Sequence, residues 1–435
     1  MASATRRDLF KTAAGAACLL GSSRAWAGAN DRIRVGLIGV GARGDNFVDV
    51  VPDVAGMELA ALCDPDENRL AEGAAKVAAA TGKRPKTHAD LRRVLDDSSI
   101  DAVVIANCNH WHALSAIWAC QAGKHPYVEK PISHNIVEGQ KVVRAVRKAG
   151  LVSSGGTQRR SHPNFREAIR LLHDGVIGDL YMASWVFPNP RESIGFKKPE
   201  APPAWLNWNL WRGPAPEQPY HQNLVHYNWH WFWDFGNGEM GNNGSHLVDI
   251  CNWGLRKDPA LPTRIHAIGG RWGYQDQAQT PNTVTATWEH ADGTIVEGKL
   301  VNLYTNEQRT WRFYGTKGHM EIGINGLFHV YMGRNSKPEP DLKAPIPPTE
   351  SFRPIDKLQL ENWAAAMRAK DPKSLNAEIE DIASSNAFCH LANISYRLRR
   401  EVRFDPKTMR FDGDEQADAL LQREYRGEFR VPDKV

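Results

Sequence analysis

Three glycines and an aspartate give the first chemical signal. Gly39, Gly41 and Gly44 stand in the spacing GxGxxG after an apolar run at 33–40, and Asp64 closes a second apolar run at 57–63. A dinucleotide needs this arrangement: a tight turn, side-chain-free backbone that can approach a pyrophosphate, close packing of helix on sheet, and an acid about twenty positions on for the ribose hydroxyls. Ala42 and Arg43 complete the turn. Further polar and titratable groups gather in three stretches: 107–112, with Asn107, Asn109, His110 and His112; Glu129-Lys130-Pro131; and 238–249, with Glu239, Asn242, His246 and Asp249. A lysine partly desolvated beside a cationic nicotinamide can exchange a proton with a hydroxyl near neutral pH, whereas a surface lysine here would simply pair with Glu129.

For these residues to meet, strand ends must converge. Apolar runs at 33–40, 57–63, 102–106 and 126–128 alternate with helical patterns at 65–81, 112–122 and 136–149. That alternation predicts a doubly wound, mostly parallel sheet over 31–155, with ligands outside the carboxyl ends of its strands. Residues 107–112 and 129–131 both follow such ends. After Gly156 the period changes to alternating runs at 180–187, 264–271, 282–289, 294–300, 310–315, 319–322 and 327–332, with helices at 162–173, 356–369 and 376–399. The expected fold is therefore an α/β Rossmann domain followed, over 156–400, by an α+β domain on a large, mostly antiparallel sheet, with 401–435 as an extension. An insertion at 188–257 holds Trp205, Trp208, Trp211, Tyr227, Trp229, Trp231, Phe232 and Trp233. Such rings can pack on the C–H faces of a sugar, form the insertion's own core, or line a subunit interface. Tyr227, Trp229 and Trp231 are the expected substrate-side members, accompanied by His226 and His230.

With the glycine start, the three constellations and the order of the two halves, the chain after 1–27 resembles the Gfo/Idh/MocA family, named for glucose–fructose oxidoreductase and inositol dehydrogenase. The resemblance implies that Lys130, in Val128-Glu129-Lys130-Pro131, is the catalytic lysine beside the nicotinamide, often with a cis peptide before the proline. It also implies a second half-site, Asp-x-x-x-His, whose spacing sets both side chains on one face of a helix turn. The histidine is His246; Asn242 stands in place of the aspartate. An amide exchanges no proton near neutral pH, so Asn242 is expected to orient a hydroxyl while Lys130 and His246 handle protons, with Asp249 supporting the helix or the imidazole. The same resemblance draws Asn107, Asn109, His110, His112, Glu129 and Gln158 toward the cofactor. Asp64 favours NAD, while Arg43 and Arg69 are the residues that would meet the 2′-phosphate of NADP. Pairing of two copies through the antiparallel sheet is a further implication, making a homo-oligomer the expected state.

A composition of 42% apolar and 24% charged residues over 435 positions describes a globular protein of two or three domains. Residues 1–27, with Arg6-Arg7, an apolar stretch and Ala25-Trp26-Ala27, read as a twin-arginine export signal cleaved after Ala27, which predicts a periplasmic or secreted protein. Setting aside its four cations and one anion lowers the formal net charge from +4 to +1. No basic stripe remains to suggest nucleic acid, and no later apolar run reaches the roughly 18 residues of a membrane span. The remaining cysteines, Cys63, Cys108, Cys120, Cys251 and Cys389, show neither disulfide framework nor metal-ligand spacing. A protein exported folded would carry its cofactor and restore its redox state within each cycle. The expected function is oxidation of a sugar or sugar derivative. The alternatives are a redox-neutral glycosidase, as in the family's exported α-N-acetylgalactosaminidases, and a non-catalytic sugar-binding protein.

Overall fold

Short runs buried on both faces build the first layer. In the computed structural model, which describes residues 32–258, 260–334, 337–349 and 351–435, these runs are β1 (Ile33–Ile38), β2 (Met57–Cys63), β3 (Lys86–His88), β4 (Ala102–Ile105), β5 (His125–Val128) and β6 (Ser154–Gly155). They lie in the order β3-β2-β1-β4-β5-β6, every neighbour parallel. All four residues of β4 are buried, so helices must cover both faces. They are α1 (Arg43–Val50), α2 (Glu67–Thr81), α3 (Leu91–Leu95), α4 (Asn109–Gln121) and α5 (Ile136–Ala149). The Asp66 carboxylate accepts the first-turn N–H groups of Asn68 and Arg69, which fixes where α2 begins. Strand order reverses between β1 and β4, and the crevice above their carboxyl ends is the switch point where such sheets bind ligands.

The second sheet has nine strands in the order β13-β12-β11-β7-β10-β9-β8-β14-β15. Its members are β7 (Leu180–Pro188), β8 (Arg264–Gly270), β9 (Thr283–Glu289), β10 (Ile295–Val301), β11 (Thr310–Gly315), β12 (Gly318–Gly323), β13 (Phe328–Met332), β14 (Val402–Asp405) and β15 (Arg410–Phe411). Among its described strands, only β7 and β10 pair in parallel. Inward residues alternate, as Ala183, Trp185 and Phe187 do on β7 and Val284, Ala286 and Trp288 on β9. They pack with α6 (Pro163–His173), α8 (Ser245–Leu255) and α10 (Ile379–Leu398), α7 being Trp208–Arg212 and α9 Phe352–Ala369.

Packing does not respect linear domain limits. Helix α9 sends Leu360, Trp363 and Met367 into the first sheet's core beside Phe47 and Leu59. Residues 401–435 contribute two strands to the second sheet, then return to bury Phe429 and Val431 near Trp111 and Leu114. The expected extension is thus a strap across both halves. The twin-arginine segment lies outside the described residues. Among those described, no helix is long and apolar enough to cross a membrane, and the five cysteines are free thiols, all but Cys108 buried.

Candidate active site

The glycine turn is shaped by contacts that only glycine allows. Gly39 adopts φ +90°, and a Cβ on Gly44 would stand 1.9 Å from the Gly39 carbonyl oxygen, whereas one on Gly41 would meet nothing within 4 Å. The close approach locks α1 onto β1, and the open side of the turn faces a cleft above the switch point. Asp64 lines that cleft; its carboxylate accepts the N–H groups of Val40 at 2.8 Å and Asp66 at 3.0 Å. Burial pushes its carboxyl up to about 6, the two backbone donors opposing the shift. A second lone pair on each oxygen remains for ribose hydroxyls. These residues fit a dinucleotide.

Arg43 serves a different purpose from the one its position in the turn suggests. Its guanidinium donates to Glu129 at 2.7 Å and, through two parallel bonds of 2.6 and 2.7 Å, to Asp356 at the start of α9. Arg69 pairs with Glu72 at 3.6 Å. Neither cation is held for a 2′-phosphate, which agrees with NAD. Glu129 in turn accepts the Lys130 backbone N–H at 3.1 Å. The Lys130–Pro131 peptide is cis.

The Lys130 ammonium turns away from Glu129 to the other half of the molecule, donating to the Asn242 carbonyl oxygen at 2.8 Å and to its side-chain Oδ1 at 3.1 Å. Burial brings it down to about 8. Asn242 lies in a single π-helical turn, Met240–Gly244, that runs directly into α8 and so sets His246 on the same wall. His246 has no hydrogen-bond partner at its buried Nδ1, and burial together with Lys130, Arg159 and Arg43 holds its pKa far below the ordinary histidine range. It is a neutral hydrogen-bonding ring at neutral pH.

Two cavities meet at Lys130. The first holds Gly39, Gly41, Ala42, Arg43, Asp64, Asn107, Asn109, His112 and Glu129; the second holds Gln158, His246, Arg159, Arg191 and Arg309. Arg43, Lys130, Tyr227 and Asn242 border both. Gln158, expected at the cofactor, therefore faces the second cavity, with its Oε1 buried and unpartnered. His110 does not line either cavity: it is fully buried, its Nε2 lies 3.0 Å from the Trp211 carbonyl, and burial drops it to about 3. His112 borders the first cavity, but its ring nitrogens face the carbonyls of Pro131 at 2.6 Å and Asn107 at 2.9 Å, so it braces the two strand-end loops.

The aromatic insertion divides. Trp231, expected on the substrate side, is core, buried with Trp211, Phe232 and Phe235 beneath Arg271, and borders neither cavity. Trp229 borders the first cavity. Tyr227 accepts from Arg191 at 2.9 Å and stands between the cavities. His226 contacts Asp66 at 3.1 Å, and His230 is buried beside Glu239. Asp249 holds neither imidazole nor helix end; it takes Arg160 at 2.8 Å and the Ser385 hydroxyl at 2.8 Å. The residues that sequence patterns missed are Arg159, Arg191, Arg309 and Asp356. Arg159 directly follows Gln158, so its place was signalled; the others come from separate elements.

Comparisons with known proteins agree with this architecture. A family model described as an oxidoreductase family with an NAD-binding Rossmann fold matches residues 33–157, and one for the same family's C-terminal alpha/beta domain matches residues 193–431. Inositol 2-dehydrogenase 1 of Saccharopolyspora erythraea is 34% identical over 172 residues, 39% of this chain and 50% of that protein. A glycosyl hydrolase family 109 protein of a Shewanella species is 31% identical over 158 residues, 34% of either chain. The chain thus spans half or less of these relatives' length. A levoglucosan dehydrogenase solved with NADH and levoglucosan shares the fold at TM-score 0.66 and 18% identity, covering 86% of this chain and 99% of that one.

Proposed function

Because the chain belongs to the Gfo/Idh/MocA oxidoreductase family, we propose that it is an exported enzyme that oxidises a sugar or sugar derivative with a resident, internally recycled NAD. The reading rests on one observation above the others: a half-buried lysine, lowered to about 8, stands where the dinucleotide cleft opens into a second polar cavity. The Gly39–Gly41 turn and the N-terminus of α1 would hold the pyrophosphate, and Asp64 the adenosine ribose. The nicotinamide, when bound, supplies the hydride acceptor. Lys130 as the free amine takes the hydroxyl proton as the C–H electron pair leaves the carbinol carbon, so a secondary alcohol becomes a ketone. Asn242 fixes the amine through two acceptors, and neutral His246 orients the same hydroxyl. The inositol dehydrogenase relative supports a polyol or sugar substrate.

The glycosyl hydrolase relative supports a second reading, redox-neutral cleavage. Oxidation at C3 acidifies the C2 proton, elimination breaks the C1–O bond, water adds across the double bond, and hydride return restores the C3 alcohol. One preparation separates the two. Protein purified without added cofactor is denatured and assayed for released NAD, and the native protein is offered free sugars and aryl glycosides. Interconversion of sugars with no added cofactor supports the first reading; aryl glycoside cleavage without net NADH supports the second. Turnover only with added NAD would contradict a resident cofactor. A second copy would cover the outer face of the nine-stranded sheet, where Ile268 and Ile295 are exposed. Sedimentation of the wild type and of Ile268→Glu tests that pairing.

A further inference from the structure

The second cavity has an unusual charge balance. Arg43, Arg159, Arg191, Arg309 and Lys130 border it, and no carboxylate does among the described residues. Two of these cations are already neutralised: Arg43 by Glu129 and Asp356, Arg191 by buried Glu239 at 2.8 Å. Arg159 and Arg309 have no such partner among the described residues. Arg159 is 6% exposed, with its guanidinium against the rings of Trp311 and Phe352 at 5.6 and 5.5 Å. Rings hold the faces of a guanidinium and leave its in-plane donors for an oxyanion. Arg309 spends its Nε and one terminal nitrogen on the Pro188 carbonyl at 3.1 Å and Asn189 Oδ1 at 3.2 Å, and its other terminal nitrogen meets no carboxylate among the described residues. Burial and the neighbouring Arg309 bring Arg159 down to about 10, with Asp356 opposing the shift without pairing to it.

The cofactor does not fill that need. Its pyrophosphate belongs to the glycine turn, on the far side of Lys130, and Arg159 and Arg309 border only the second cavity. Resting on the sugar-oxidation reading of the same site, we propose that the substrate is an acidic sugar, bearing a carboxylate or phosphate that Arg159 and Arg309 bind while one of its hydroxyls lies at Lys130. A cavity of about 330 Å³ has room for one sugar ring with such a group. Charge-assisted bonds to two guanidinium groups, one of them nearly out of water, favour the acid over its neutral isostere. The buried, unpartnered Gln158 Oε1 and His246 Nδ1 face the ring hydroxyls between the two ends.

The test is calorimetric binding to the NAD-loaded protein, with methyl glucuronide, methyl galacturonide, the matching neutral methyl glycosides and glucose 6-phosphate as probes. An acidic probe should bind about tenfold or more tighter than its neutral counterpart. That preference should fall to within about threefold in both Arg159→Gln and Arg309→Gln, the second at a half-exposed position that tolerates the change if the first impairs folding. Tighter uronide binding identifies a carboxylate, tighter 6-phosphate binding a phosphate. Equal affinity for acid and neutral probes, or a preference that survives in both variants, overturns the proposal. Reduction of bound NAD is recorded with every probe. Oxidation of neutral sugars without acid preference would sink the acidic substrate but leave the oxidoreductase reading standing; arginine-dependent binding with no reduction by any sugar would do the reverse.

Discussion

The two cavities that meet at Lys130 are built on opposite electrostatic plans. The dinucleotide cleft is lined by backbone and apolar side chains, and its charges include three carboxylates, Asp64, Asp90 and Glu129. The second cavity carries four arginines and a lysine with no carboxylate among its described residues. A cofactor whose phosphates are gripped by N–H groups needs no guanidinium, and its ribose needs an acceptor. A substrate site rich in guanidinium groups selects for negative charge. Lys130 sits between these fields: Glu129 and Glu239 favour its charged form, burial, Arg43 and Arg159 the free amine, and burial dominates.

The comparison breaks first at that lysine. Lys130→Met should lower sugar-dependent NAD reduction by about a thousandfold while leaving NAD bound, as expected when a positioned base is lost but the dinucleotide grip is intact. Stopped-flow absorbance and cofactor content after gel filtration check both halves of the statement. Next comes the clamp joining the cavities. Arg43→Gln leaves Asp356 and Glu129 buried without their cation, and should cost about 3–5 kcal/mol in denaturant unfolding. Trp231→Ala should cost about 3–5 kcal/mol as well, by opening a hole in the insertion's core, whereas Trp229→Ala should leave stability within about 1 kcal/mol and weaken NAD binding. The smallest effect belongs to Asp64. Its carboxyl titrates near 6, and only the ionised form accepts from both ribose hydroxyls, so NAD affinity should fall several-fold as pH drops below 6 and stay flat above 7. Asp64→Asn should abolish that pH dependence.

The same contrast explains what could be read from sequence. The cofactor cleft is written in contiguous segments, because a βαβ unit places its glycine turn and terminal acid within one stretch; Gly39, Gly41, Gly44 and Asp64 stand as their spacing implies. Seven of the second sheet's strands were equally legible, since alternation with period two marks each one, whereas β14 and β15, four and two residues long, are too short to show a period and fall inside the expected extension. The second cavity was not legible. Arg191 follows β7 and Arg309 precedes β11, neighbours in the second sheet though far apart in sequence, while Arg159 follows β6 of the first sheet, so the three meet only where the two sheets' ends converge. His110 misled because a polar residue after a strand end reads as a ligand, yet here the ring turns into the aromatic insertion. Arg43 misled in the opposite direction: its clamp partner Asp356 is 313 residues away, a distance no local pattern encodes.

In the proposed mechanism Lys130 must be a free amine to take the substrate proton. The most direct measurement is the pH dependence of the single-turnover rate of sugar-driven NAD reduction. Because the reactive form is deprotonated, the rate should rise about tenfold per pH unit in acid and level off with an apparent pKa near 8. Arg159→Gln, which removes a neighbouring positive charge, should move that inflection to higher pH. A rate independent of pH from 6 to about 9, or an inflection unmoved in Arg159→Gln and retained in Lys130→Met, would assign the proton transfer to another group.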